Sequence, residues 1–491
     1  MTRKIGVQTR QKSYPRICES FEVFQKLTAT YGAERAFLLD SVKDIYSRYC
    51  QSSIALFPVL TVRVKGRRFS LEGEPALTAA VTANLVQDGT DLSAFTGKVS
   101  RLLDGVVQSF ELHDRETMSK YAFGFVGHLS YDAIRYFENI PKTTVDDRGL
   151  DDIRLQVHQV VLQFERDVIH VHINEIEGLQ TPSFAEIEAF LRVYPEPEFA
   201  GYDPRQLCVE EDVKEADFLQ RVERCKAYIE EGDIFQVVIS KRNRVIGPID
   251  SMQVYHRLKQ VNPSPYMYYA DYGDYKIYGT SPELQIRLED GVAQMRPIAG
   301  TSKGKGKRPE ENVQLIERLR NDEKERAEHL MLIDLCRNDL GRFCEPGSIY
   351  VKDFMVVEEY SHVYHMVSTV EGQVDPSRNV FDMFLATFPA GTLSGTPKVR
   401  AMEVIDELEE FDRGAYGGVI GFIDFLGNMN TAIVIRTIIQ QGDVAYFQAG
   451  AGIVADSNPE QEWAECDHKL RALTNTLLQL EETPVRKVTL S

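Results

Sequence analysis

Gln294-Met295-Arg296-Pro297-Ile298-Ala299-Gly300-Thr301 is the stretch around which the rest of the chain is organised. Before it, two apolar-rich segments, residues 275–279 and 284–288, read as the strands of a β-hairpin, and a further short strand runs into Ala299-Gly300-Thr301. A glycine at a strand end lets backbone come close to a ligand, because no Cβ stands in the way. Thr301 adds a hydroxyl, and the lysine-rich loop of residues 302–308 offers positive charge to an acid. Taken singly, such a segment is more often a turn followed by solvated lysines.

The chain's 491 residues suffice for one large domain or a few smaller ones. Its 43% hydrophobic and 26% charged residues are those of a soluble globular protein. A net charge of −18 argues against nucleic-acid or anionic-membrane surfaces, though not against a small anionic substrate held by local basic residues. No apolar run approaches the ~20 residues that span a bilayer. The basic residues 1–16 lack the apolar centre of a secretory signal, so a cytoplasmic location is expected. The cysteines (Cys18, Cys50, Cys208, Cys225, Cys336, Cys344, Cys466) show no C-x-x-C pair and read as buried thiols in a reducing compartment. None sits in the Gly-x-Cys-x-Gly turn of a glutamine amidotransferase.

Residues 14–177 read as strand-rich, with strands near 37–42, 53–57, 69–71 and 156–164 and an alternating one at 168–173. An amphipathic helix over 182–193 and a proline-containing linker over 194–212 follow. Two regions are therefore expected, residues 14–194 and 213–480, the second opening with a helix over 215–231 that Gly232 ends.

Two helices carry paired acids. In residues 322–335, Ala327, Leu330 and Met331 form a stripe, Glu325 and Glu328 share a face away from it, and the apolar run after His329 predicts a buried middle. A second helix opens at Asn458-Pro459, with Glu462 and Glu465 again three apart and Trp463, Leu470, Leu473 and Leu477 facing a core. Most Glu-x-x-Glu helices are solvated faces. Two that converge make an oxygen cage suited to Mg²⁺ rather than to zinc, since neither helix supplies a cluster of histidines or cysteines.

The opening stretch occurs with Asp233-Ile234-Phe235-Gln236-Val237-Val238-Ile239-Ser240, Asn262-Pro263-Ser264-Pro265-Tyr266-Met267, Gly391-Thr392-Leu393-Ser394-Gly395-Thr396-Pro397-Lys398 and Gln448-Ala449-Gly450-Ala451-Gly452-Ile453-Val454, in chain order. Together these segments resemble the chorismate-utilising enzymes, most specifically the large synthase subunits of anthranilate synthase, densest over residues 218–477. The resemblance implies a mixed α/β fold: two large, mainly antiparallel sheets packed as a sandwich with surrounding helices and a cleft for the active site. It implies Mg²⁺ on Glu328 and Glu465, with Glu325 and Glu462 nearby through water, gripping the ring carboxylate of chorismate. Glu283 matches the general acid that protonates the departing hydroxyl, a task that needs a raised pKa. His365 matches a histidine beside the ring, although a lone strand histidine is more often structural. Arg436, at the end of an apolar strand, would fork onto the second carboxylate. Gly300, Thr301, Thr392, Lys398, Tyr416 and the backbone of Gly450, Ala451 and Gly452 complete the substrate set. Neither a dinucleotide fingerprint nor a phosphate-loop spacing is present, so nucleotide binding is not expected.

Water-using relatives place a lysine base where this chain has Gln236, and aminodeoxychorismate synthases a lysine nucleophile where it has Ala299. With both replaced, the nucleophile must arrive competent, and ammonia from a separate glutamine amidotransferase subunit fits. A hetero-oligomer with that subunit is implied. The resemblance also implies a tryptophan inhibitor site at Ser41, Pro265, Tyr266 and Met267, with Asp40 where feedback-regulated members carry glutamate. Two alternatives stand beside this reading. A 2-amino-2-deoxyisochorismate synthase would stop before pyruvate loss. An amino-acid-sensing subunit without catalysis would lose the acid or the metal ligands, and Glu283, Glu328, Glu465 and Arg436 argue against it.

Overall fold

Alternation along single strands sets the layers. In Tyr266–Asp271, Met267 and Tyr269 enter one apolar cluster while Tyr268 and Ala270 enter another. The same division recurs in Ala36–Asp40 (Leu38 against Phe37), Ser52–Lys65 (Ile54 and Leu56 against Ala55) and Ile153–Phe164 (Val160 and Leu162 against Val161). From the other side, Gly124–Leu129 and Val419–Asp424 send Val126, Ile420 and Phe422 into that second cluster and Phe125, Val419 and Ile423 into a third. The second cluster is therefore an apolar layer between two sheet faces. Helices Ser20–Tyr31 and Ser251–Val261 cover one outer face; Val99–Gln108, Glu215–Glu230, Val380–Thr387 and Lys398–Leu408 cover the other. This is the mixed, mainly antiparallel architecture expected, with the two faces joined in one continuous hydrogen-bonded sheet rather than built from two separate sheets.

The structure, a computed structural model, describes residues 4–41, 52–86, 90–95, 98–192, 199–302, 304–360 and 363–480. Cys50, Lys303, the end of the 37–42 strand, residue 193 of the anticipated helix and residues 194–198 of the anticipated linker lie outside the described residues. Strands from both anticipated regions pair directly: Met267 lies opposite Asp40, and Val419 opposite Leu129. No helix among the described residues is long and apolar enough to cross a membrane.

Several local expectations are corrected. Lys276–Ser281 and Leu284–Glu289 are both strands but not partners of one another. The first pairs with Tyr266–Asp271 and Thr437–Gln441, the second with Val292–Met295 and Met429–Ile433. Pro282 between them has no N–H to give to a ladder, and there the chain passes from one sheet face to the other. The helix expected over 182–193 is the shorter Phe184–Glu188 followed by a tight turn at Ala189–Leu191. Part of the expected linker is a strand, Cys208–Glu211, paired with Gln236–Ile246. The basic N-terminal stretch is a strand as well: Ile5–Pro15 lies along Val168–Ile176, with Ile5 and Val7 buried and the polar side chains between and beyond largely outward.

Candidate active site

Two chain crossings between the sheet faces carry the central pair of residues. Glu283 stands at the crossing just described. Arg436 stands at the other, where Met429–Ile433 ends on one face and Thr437–Gln441 begins on the opposite one. Backbone hydrogen bonds lock the two together, Ile433 N–H donating to Glu283 O at 3.1 Å and Thr280 N–H to Arg436 O at 3.2 Å. Making that crossing puts Arg436 at φ 49°, a left-handed conformation that costs a side-chain-bearing residue of order 1–3 kcal/mol. Burial depresses its guanidinium pKa. It acts on Glu283 and Tyr360 by charge alone, with no ion pair or side-chain hydrogen bond among the described residues.

Glu283 is 9% exposed. Burial pushes its carboxyl up to about 7, against the opposing pull of the Thr392 hydroxyl, Arg436 and Lys469. Thr392 Oγ1, on the turn Gly391–Leu393, donates to Glu283 Oε1 at 2.8 Å. A carboxyl half-protonated near neutrality beside an unpaired cation is poised to give a proton to a bound anion.

Ile298–Thr301 pairs with Tyr364–Gln373 so that Thr301 lies opposite His365, its Oγ1 3.0 Å from His365 Nδ1. Burial and nearby Arg436 pull the imidazole down to about 4, and a hydrogen bond to the Gly300 backbone opposes them. The ring is therefore neutral at pH 7, held edge-on by Tyr360 at 4.8 Å between centroids. Gly300 has φ 84°, and a Cβ there would stand 3.3 Å from Glu325 Oε2, so the glycine lets the strand lie against the acidic helix. The Thr301 backbone hydrogen-bonds Glu325. Below it, buried His329 bridges the Ala299 carbonyl at 3.2 Å and Ser368 Oγ at 2.8 Å, fixing the helix to the strands.

The acidic helix, Glu323–Gly341, faces the opposite way from the sequence expectation. Leu330 is 44% exposed and Ala327 is exposed, while Glu325, Glu328 and buried His329 and Leu332 lie on the inward side. Carboxylates turned inward in place of an available leucine point to a binding role rather than to packing. Burial raises the pKa of Glu328, and Glu325 and Glu465 raise it further. Burial likewise raises Glu325, with Asp322 and Glu465 adding to it, and Glu462, with Glu465 adding to it. The second acidic helix, Pro459–Leu477, is capped by Asn458 and buries Trp463, Leu470, Leu473 and Leu477 as expected. Its Glu465 pairs with Lys469 at 2.7 Å, and Lys469 also donates to the Gly450 carbonyl at 2.8 Å. Among the described residues no three His, Cys, Asp or Glu side chains stand ready as a metal cage.

Gly450, Ala451 and Gly452 lie in a ladder opposite Ser240, Ile239 and Val238. A Cβ at Gly450 would stand 3.0 Å from Tyr416 Oη, and one at Gly452 2.8 Å from Gln236 Nε2. The glycines thus leave room for a hydroxyl and an amide to reach across the strand. Lys398 is engaged elsewhere: its ammonium gives to Asp339 Oδ2 at 2.8 Å and to the Thr387 carbonyl at 3.2 Å. Sequence reasoning missed Lys469, although its position four residues after Glu465 is an ion-pair spacing. It also missed Tyr360, His329 and Asp339, which only the tertiary packing brings to the site.

The sequence matches the chorismate binding enzyme family over residues 71–475. The chain belongs to that family. Within it, anthranilate synthase component 1 of Acetivibrio thermocellus is 40% identical over 402 residues, covering 79% of this chain and 81% of that one. The 2-amino-4-deoxychorismate synthase of Streptomyces globisporus is 37% identical over 463 residues, covering 91% and 92%. The solved anthranilate synthase component I of Streptococcus pneumoniae TIGR4 superposes with a TM-score of 0.72 at 32% identity, covering 89% of this chain and 93% of that one. In this member of the chorismate-binding enzymes, a cavity of about 420 Å³ lies at the apolar layer between the sheet faces, apart from Glu283 and Arg436. Leu39, Asp40, Tyr266, Met267, Phe422 and Arg287 are among its walls. Of the anticipated inhibitor residues, Tyr266 and Met267 line it, whereas Ser41 and Pro265 stand outside its lining. Asp40 is buried and held by Ser20, Ser52 and Lys259 at 2.6–2.7 Å. The Ser41 hydroxyl is buried with no partner among the described residues.

Proposed function

We propose that this chain is the synthase component of anthranilate synthase, converting chorismate and ammonia into anthranilate and pyruvate. The observation that carries the reading is the partly buried Arg436 guanidinium, unpaired among the described residues, beside a Glu283 carboxyl raised to about 7, on the two crossings that floor the site. Arg436 forks onto a carboxylate of the substrate. Ammonia adds at C2 while protonated Glu283 gives its proton to the C4 hydroxyl, which leaves as water. Neutral His365, oriented by Thr301, assists the later loss of pyruvate as the ring becomes aromatic. Neither Gln236 nor Ala299 supplies an amine, so ammonia comes from outside the chain, from a glutamine amidotransferase subunit. Incubation with chorismate, Mg²⁺ and ammonium gives fluorescent anthranilate. Accumulation of an aminated, non-aromatic product instead would assign the chain to the 2-amino-2-deoxyisochorismate synthases.

The acids fit a hard divalent cation. Glu325, Glu328 and Glu462 are inward, oxygen-only, and raised by burial and by each other or Glu465 rather than neutralised by protein cations. Mg²⁺ held by Glu328 and Glu465, with Glu325 and Glu462 through water, would neutralise the ring carboxylate. Trp463, the single tryptophan of the chain, lies between Glu462 and Glu465 in sequence with the Lys241 ammonium 3.2 Å from its ring centroid. Titrating Mg²⁺ therefore changes the intrinsic fluorescence, and Glu328→Gln weakens that response by at least about tenfold, the loss usual when even a supporting group is removed. A response that Glu328→Gln leaves unaltered would remove the metal from this pair of helices.

Tryptophan feedback belongs to the cavity at the apolar layer. Its volume of about 420 Å³ suits a small ligand, and Tyr266, Met267 and Phe422 offer apolar area for an indole while Asp40 and Arg287 offer charge. Tyr266→Ala weakens calorimetric binding of tryptophan by about tenfold, the worth of one aromatic contact. Unchanged affinity would place the inhibitor elsewhere.

A further inference from the structure

Beside Glu283 lies a small cavity of about 30 Å³, enough for one or two waters. Its walls include Glu283 and Thr392, Gln285 two residues along the same segment, and Cys336 and Asp339 from the acidic helix. Gln285 is 1% exposed; its Nε2 donates to the Thr387 carbonyl at 2.9 Å, and its Oε1 has no hydrogen-bond partner among the described residues. An orphaned buried amide oxygen costs ~1–3 kcal/mol unless a donor reaches it, and at a water-sized cavity water is the fitting donor.

Asp339 is 3% exposed and is tied to Lys398, which shares the Thr387 carbonyl with Gln285. Lys398 and, farther off, Arg342 are the cations that act on Asp339, and burial still holds its carboxyl above the ordinary range. The Cys336 thiol, on the cavity wall with Asp339 and Glu283, lies within the fields of both and of Lys398, which Asp339 holds behind the wall. Arg296, also on the wall, is paired with Glu358 at 2.5 Å. The Lys398 side chain keeps 11% exposure, the pair's link to solvent.

We propose that Asp339, with Lys398, returns a proton to Glu283 through water held in this cavity. The idea rests on Glu283 being the general acid. In each turnover Glu283 gives one proton to the departing hydroxyl, which leaves as water. The carboxylate so formed takes a proton from the cavity water, the water takes one from the Asp339–Lys398 pair, and that pair is refilled from solvent. One proton enters for each one given. Asp339 acts through Glu283 and is a positioning and relay residue rather than one that touches substrate.

Asp339→Asn keeps the shape of the side chain and removes its acid. It lowers kcat by about tenfold or more, while KM for chorismate changes by less than about twofold. The solvent deuterium effect on kcat grows, and added imidazole buffer restores part of the rate. Should that variant fold poorly, Gln285→Met, close in volume and without the orphaned oxygen, gives the same split. Unchanged kcat in both variants overturns the relay. So does a loss of kcat with neither an isotope effect nor a buffer response, which would leave Asp339 as an anchor for Lys398. Retained kcat in Glu283→Gln would instead overturn the general-acid reading itself, so the two failures are distinct.

Discussion

Glu283→Gln lowers kcat by about 10²–10⁴-fold, with KM for chorismate little changed. The amide matches the carboxyl in shape and still accepts from the Thr392 hydroxyl, so the crossing that holds it stays intact. On the proposed mechanism, what is lost is the proton for the leaving hydroxyl. In the parent enzyme the same group sets an upper pH limb: with its carboxyl near 7, activity falls as pH rises through that value. The limb disappears in the variant's residual rate. The variant's stability changes in the opposite sense to its activity. A carboxyl raised in the folded state from 4.5 to about 7 favours folding least at high pH, because the ionised form is penalised by burial. Above pH 7 that penalty is on the order of 3 kcal/mol, and Glu283→Gln removes it. The variant should therefore melt no lower than the parent at pH 8 while being nearly inactive. A variant that keeps its kcat, or whose limb persists, removes Glu283 from the chemistry.

Glu283, Arg436, His365 and the acid pairs became candidates because their segments resemble a known family, and local reading alone left each with an ordinary explanation. Period-2 alternation recovered the strands of the sandwich but not their partners. The segment around Pro282 reads as a hairpin, since only four residues separate two apolar runs, whereas each run turns back on its other neighbour, Tyr266–Asp271 or Val292–Met295, and takes a sequence-distant strand on its second edge. Strand choice is a matter of long-range burial, which a local pattern does not contain. The acidic helix failed for a related reason. Amphipathic logic turns Leu330 inward and Glu328 outward, and a binding site reverses that rule. The N-terminal strand was missed because its outward residues are charged, although Ile5 and Val7 keep the alternation. The tight turn at Arg436 had no signal at all. Left-handed backbone is anticipated at glycine or asparagine, and an arginine there becomes visible only in the folded chain.

Arg436→Gly lowers kcat/KM for chorismate by about 10²–10³-fold, within the 2–5 kcal/mol lost when one partner of a buried charge pair is removed. Glycine is the informative replacement, because it separates the two things this residue does. The left-handed φ of 49° strains arginine and suits glycine, and the partly buried guanidinium pairs with no carboxylate among the described residues. Both the strain and the unpaired charge oppose folding, so their removal leaves the melting temperature unchanged or higher. Arginine is thus held at this crossing against the interest of stability, which is intelligible if an anion supplied by the substrate completes it. A second consequence follows at Glu283. Arg436 pulls that carboxyl down, so in Arg436→Gly the upper pH limb of the residual activity moves to higher pH. Arg436→Lys keeps the charge without the fork and falls between the parent and the glycine variant. Full kcat/KM in Arg436→Gly, or a limb that stays near pH 7, would mean that the substrate carboxylate is held elsewhere and that the two crossings are joined for folding alone.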